Sequence, residues 1–320
     1  MFRFFALLVS GLLLVAGCTA TPQDEQSGDQ VSPAAPAPEP TPTRTPTPTP
    51  TPTPPPELPG GGFVLLPTYR LCGFVGHPHA PGQGRLGIGD IQERMVELHE
   101  QCAPYAGGRV IMPVMELIAV TVMPSPGADG MSRARTDSQI IEDWLSVARE
   151  HDAMLLLNIQ PGHSSFLAEL QALEQYLVEP DVGVALDPEW AMSPGQVPMQ
   201  SFGSTSGEEL DEVARYLSGL VIEHDLPEKV MLYHILHPEI ISNEAALQAH
   251  PGIVLVKSVD GIGAPADKVG TYNRVATAVP PHVFMGFKLF YEEDVQTSGI
   301  LMTPEEVMGI TPVPDYVLYE

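Results

Sequence analysis

The chain has 320 residues, with 40 acidic against 15 basic side chains and a formal net charge of −25. That balance argues against a nucleic-acid partner and against docking on anionic lipid headgroups; it suits an exported domain kept soluble by its charge. The length exceeds what most single domains of mixed class need.

Residues 1–17 read as an export signal: Arg3, then the apolar run FFALLVSGLLLVAG, then Cys18. The run is short for a spanning helix, which needs about 20 apolar residues. It ends in LVAGC, which resembles a bacterial lipobox. The resemblance implies cleavage before Cys18, lipid on Cys18, and a chain anchored to the cell membrane on its extracytoplasmic side. A plain secretory signal and an uncleaved anchor are the alternatives. Residues 18–59 form a Pro/Thr-rich stretch without apolar periodicity, expected to be a disordered tether. In extended polyproline form it reaches on the order of 100 Å.

Residues 60–320 alternate between two patterns. Short apolar runs read as strands: YRLCGFVG, RVIMPVMELIAV, AMLLLNIQ, VGVALD, KVMLYHILH, GIVLVKSVD, VFMGFKLF and DYVLY. Between them lie stretches with helical spacing: 90–102, 136–151, 164–178, 207–224, and shorter ones at 243–250, 266–279 and 303–309. Strands alternating with helices imply parallel pairing through crossover connections. The expected fold is therefore α/β, a (β/α)8 TIM-type barrel lacking a final helix. The segment 59–67 is expected to cover the place of that helix. An open doubly wound sheet is the alternative. Cys72 and Cys102 fall in the first strand and at the end of the next helix, placed either for a disulfide or as two buried thiols.

Four strands end in a polar residue followed by proline: His77, Gln160, Asp187 and His237. Proline ends the ladder and holds the residue before it extended, so each polar side chain is fixed at a strand end. In a barrel those ends form the rim where active sites sit. In VGVALDPEW, Val182, Val184 and Leu186 share one face, and Gly183, Ala185, Asp187 and Glu189 the other. The large residues are expected to pack on helices and the small ones to point inward. Asp187 and Glu189, read as one strand, have backbones about 6 to 7 Å apart. In a shielded pocket such a pair cannot ionise freely, and Glu189 is the natural proton donor. Glu116 and Asp260 are further candidates for the partner acid. Trp190 offers either an aromatic face to a sugar ring or packing under the aperiodic stretch that follows. His77, Asn158, Gln160, His234 and Lys288 are candidate substrate-binding residues at or near the strand ends.

The Asp-x-Glu ending of GVALDPEW resembles those of some barrel glycosidases acting on cell walls or chitin. The resemblance implies a glycoside-hydrolase-type barrel whose partner is a carbohydrate or cell-wall polymer, with no cofactor. A non-catalytic glycan-binding barrel carries the same residues. A third reading starts from His77 and His79, which resemble the His-x-His of metal-dependent amidohydrolases. His234 or His237 fills the fifth-strand place, but the sixth strand has no histidine and Asp315 lies at the start of the eighth. The pattern Gly82, Gly84, Gly87 is separated from its strand by HPHAP, and reads as a mobile loop rather than a dinucleotide site.

Overall fold

The structure is a computed structural model that describes residues 54–277 and 279–320. The expected signal, Cys18 and most of the tether stretch lie outside the described residues. Eight strands carry the fold: β1 (Tyr69–Gly76), β2 (Val110–Val122), β3 (Met154–Ile159), β4 (Val182–Leu186), β5 (Lys229–Ile235), β6 (Ile253–Val259), β7 (Val283–Leu289) and β8 (Tyr316–Tyr319). Each pairs in parallel with the next, and β1 pairs with both β2 and β8. The sheet is therefore closed, which excludes the open alternative. A short strand, Arg133–Arg135, runs antiparallel to the end of β2.

The long helices follow their caps. Asp90 accepts from the backbone N–H groups of Gln92 and Glu93 at the start of α1 (Ile91–Cys102), and Asp137 from that of Gln139 at α2 (Ser138–Glu150). The helix expected over 164–178 is two, α3 (Phe166–Ala172) and α4 (Glu174–Leu177), broken at the buried Leu173. Ser206 caps α5 (Gly207–Glu223). The helix expected over 243–250 does not form. Asn243 sits at φ 45°, outside helical space, and only a 3-10 turn, Glu244–Ala246, follows it. After β6 comes α6 (Pro265–Ala276). After β7 come α7 (Glu293–Ser298), which the periodicity did not announce, and α8 (Pro304–Met308).

Alternation along the strands divides the core in two. Val182, Val184 and Leu186 pack outward with Leu210, Val213 and Leu217 of α5. Ala185 points inward with Leu156, Val230 and Leu232. Small inward residues also occur on β1, β6 and β7 (Gly73, Ser258 and Gly286), while the interior elsewhere takes large ones such as Met112, Val114 and Met154. Size is complementary: a Cβ on Gly183 would stand 2.5 Å from Val230 Cγ1 and 2.7 Å from Leu156 Cδ2.

Leu58, Leu65 and Leu66 join the interior cluster beside Met112, Met154, Val230 and Val254, which open their strands. The segment 58–66 thus plugs the amino-terminal end of the barrel and does not stand in for a helix after β8. It is held there by Leu65 N–H donating to Glu228 Oε2 at 2.7 Å and Glu228 N–H donating to Phe63 O at 2.9 Å. The glycine-rich stretch 81–87 forms two 3-10 turns packed on the end of β1, where a Cβ on Gly87 would lie 2.6 Å from His77 O.

Cys72 on β1 and Cys102 at the end of α1 form a disulfide spanning 30 residues. Closing a loop of that length constrains the unfolded chain by about 3–4 kcal/mol. Cys102→Ser is expected to lower the thermal midpoint by on the order of 10 °C, measured by calorimetry.

Candidate active site

The same alternation that buries apolar side chains in the lower barrel places polar ones above them. Asn158 and Gln160 continue the inward face of β3, and Asp187 that of β4. His234 continues that of β5, Asp260 follows Ser258 on β6, and Lys288 lies two residues beyond Gly286 on β7. Glu189 departs from the expected strand geometry. β4 ends at Leu186, and Pro188–Trp190 make a single 3-10 turn. Proline cannot continue the ladder, so the chain turns and brings Glu189 back toward Asp187. The aperiodic stretch after Trp190 is tied to this turn, with Gly203 N–H donating to Glu189 O at 2.7 Å and Ser204 N–H donating to Ala191 O at 3.0 Å.

Glu116 is wholly buried, and three side chains answer it. Its Oε1 accepts from Asn158 Nδ2 at 2.9 Å and from His234 Nε2 at 2.9 Å; its Oε2 accepts from Tyr316 Oη at 3.1 Å. His234 Nδ1 lies 2.8 Å from Asp260 Oδ2 as an ion-pair contact. Asp260 is also 3.2 Å from Lys288 Nζ, and Ser258 Oγ donates to its other oxygen at 3.0 Å. Lys288 closes the series on Glu320 at 2.5 Å.

Charges in this row hold one another ionised. Burial pushes the Glu116 carboxyl up, but the His234 charge and hydrogen bonds outweigh it and hold the group below the ordinary range. Burial is likewise overcome at Asp260, which His234 and Lys288 hold at about 2. Against its own burial, His234 is raised well above the usual imidazole value by Asp260 and Glu116, and so carries charge at neutral pH.

The two acids of the DPEW turn behave in the opposite way. Burial, with Asp187 and Asp260 nearby, pushes Glu189 well above the carboxylate range. Burial also raises Asp187, though His234 and Lys288 oppose it. Both oxygens of Asp187 accept amide hydrogen bonds, from Asn158 Nδ2 and Gln160 Nε2, each at 3.0 Å. Glu189 Oε2 is buried with no hydrogen-bond partner among the described residues. Of the pair, Asp187 is the one equipped to ionise first, and Glu189 keeps the proton.

Asn158, Gln160, Asp187, Glu189, Trp190, Asp260 and Lys288 line one cavity of about 240 Å³ at the carboxyl-terminal mouth. Trp190 sits against Phe202, edge to face with ring centroids 5.8 Å apart. Glu116 and His234 do not line that cavity. They are fully buried behind it, and their place is to support Asn158 and Asp260 rather than to touch a ligand. His77 is also outside it: its Nε2 is 3.2 Å from Thr136 Oγ1, and with His79 it lines a neighbouring cavity. His237 is exposed and accepts from the N–H of Glu239, so the structure does not gather His77, His79 and His237. Asp315, at the amino-terminal end of β8, pairs with Arg109 at 2.8 Å.

Tyr316, Ser258 and Glu320 were not singled out from sequence. Period-two alternation with Leu318 points to Tyr316 as inward, and its register beside Gly286 leaves the ring room. The contacts of Glu320 and Ser258 had no local signal.

No protein-family model matches the chain, and no curated protein matches it. Among solved structures it is similar to one described as a hyperthermophilic endo-beta-1,4-glucanase in complex with substrate. The identity is 11% and the TM-score 0.39, over 81% of this chain and 87% of that chain.

The opposed shifts set opposite pH behaviour. A carboxyl raised on folding contributes stability below its unfolded pKa and loses it as pH rises through the folded value. Glu189→Gln is therefore expected to gain thermal midpoint over the native chain as pH rises from 4 to neutrality. A carboxyl lowered on folding stabilises above its unfolded pKa. Glu116→Gln is expected to lose roughly 3 kcal/mol at pH 7, because a buried, charged His234 is left with Asp260 as its single carboxylate partner. Thermal unfolding across pH reads both.

Proposed function

We propose that this barrel is a glycoside hydrolase acting on extracellular or cell-wall carbohydrate, with Glu189 as the acid and Asp187 as the partner carboxylate. The observation that carries the reading is the asymmetry of the pair. Glu189 is held protonated at a cavity wall with one oxygen unpartnered, while Asp187 is oriented by two amide donors. Glycoside hydrolysis needs that division of labour: one carboxyl to protonate the leaving oxygen as the C–O bond breaks, and one carboxylate facing the positive charge that develops on the sugar. Trp190 supplies a ring face at the same cavity.

The placement outside the cytosol is part of the proposal. The lipobox-like LVAGC and the Pro/Thr stretch support it, as does the Cys72–Cys102 disulfide, since such bonds persist in oxidising compartments. Cys18→Ser is expected to move the protein from the membrane fraction to the soluble one.

A second reading, a barrel that binds glycan without cutting it, is favoured by the engagement of Glu116 and Asp260 in ion pairs. One assay separates the two. The full-length chain is incubated with a panel of cell-wall and storage polysaccharides, and release of reducing ends is followed. Turnover is expected, with Glu189→Gln slower by about 10²- to 10⁴-fold. The alkaline limb of the native profile is expected above the ordinary carboxylate range and absent from that variant. Binding by both proteins without release from any polysaccharide would leave the second reading standing.

A further inference from the structure

Beside the acid-pair cavity lies a second one of about 420 Å³, and Gln83 lines both. Its wall mixes chemistries: His77 and His79 as planar rings, Arg135 and Thr136 as hydrogen-bonding groups, and Met123 and Ile140 as apolar patches. The positive charge of Arg135 is already engaged: Glu169 Oε2 is 2.7 Å from Arg135 Nε, and Glu169 and Asp129 together balance Arg135 and Arg133. A wall of this kind does not select an anion. It suits a neutral ligand carrying both C–H faces and hydroxyl groups.

The loop that separates the two cavities is held in an unusual shape. His79 has φ 66°, a left-handed conformation that a non-glycine residue rarely adopts. Its side chain is exposed and belongs to neither core cluster, so packing does not account for a ring at this position. Trp190 and Met199 line both the acid-pair cavity and a further hollow that reaches Phe202. The cavity of Glu189 and Asp187 thus shares lining residues with two further spaces.

We propose that the His77–His79 cavity is a chain-extending subsite, holding sugar units of a polymer whose scissile bond lies at Glu189. This rests on the glycoside-hydrolase reading above. The ligand it takes is a neutral oligosaccharide long enough to pass Gln83, and the polymer is cut within the chain rather than one unit from an end.

The test uses the full-length chain carrying Glu189→Gln to stop turnover, and isothermal calorimetry. The probes are neutral β-1,4-linked oligosaccharides of glucose and of N-acetylglucosamine, two to six units long. Two changes are added separately. His79→Gly removes the ring at a backbone angle glycine adopts freely, so the loop keeps its shape. Ala134→Trp fills the cavity from the exposed edge strand. Affinity is expected to rise with length, and each change to weaken the six-unit chain by about fivefold or more while moving the two-unit chain less than about twofold. An equal loss at every length, no loss at any length, or affinity that does not grow with length would overturn the subsite and leave the acid-pair reading intact. Binding of none of the probes would overturn the subsite as proposed, while the acid-pair reading stands or falls on the release of reducing ends.

Discussion

A carboxylate without solvent needs its lone pairs answered, and Glu116 is such a group. Asn158, His234 and Tyr316 answer it from β3, β5 and β8. Asp260 and Glu116 together keep His234 protonated, and His234 in turn holds both carboxylates ionised; because Asp260 is ionised, Lys288 is held beside it. The row is nearly neutral as a whole, with cations between anions, which is the condition under which charges persist in a dry interior. Its members come from β2, β5, β6 and β7, so only a closed barrel assembles it.

Asn158 links this row to the acids at the mouth. One nitrogen serves Glu116 and Asp187 together. With carboxylates on both sides the amide cannot turn round, since its oxygen would then face negative charge. The orientation of Asp187 is thereby inherited from the buried row. Glu189 gets no such support: it lies one proline beyond Asp187, in a turn that the barrel does not pair, and it meets burial and like charge together. Two acids two residues apart thus acquire different chemistry from environment alone.

Closure at the other end serves the same purpose. Leu58, Leu65 and Leu66 fill the amino-terminal opening and close the lower interior with apolar side chains. The row of buried charges and the acid-pair cavity lie at the carboxyl-terminal mouth, where the strand ends and the Trp190 turn converge. Lys268 and Asp294 add a buried pair there at 2.8 Å, with Asp294 also accepting from the backbone N–H groups of Gly263 and Phe290. That pair fixes the loops after β6 and β7 to each other.

Strand order, the inward face of β4 and the polar endings of β3 and β4 were legible in the sequence, because alternation and proline act over a few residues. Asp187, Asn158, Gln160 and Lys288 could be found that way. Glu116 and His234 were found too, but their retreat behind the cavity was not, since depth along a barrel depends on register between strands far apart in sequence. His77 looked like a rim residue and proved to face a second cavity, because the Arg133–Arg135 strand and its neighbours build a wall there. The missing helix at 243–250 reflects one left-handed residue that no spacing reveals. The sequence by itself determined the order of the strands and which acids stand at the end of β4; the tertiary structure decided which side chains meet, and hence which acid keeps its proton, because burial and neighbouring charge exist only once the barrel has closed.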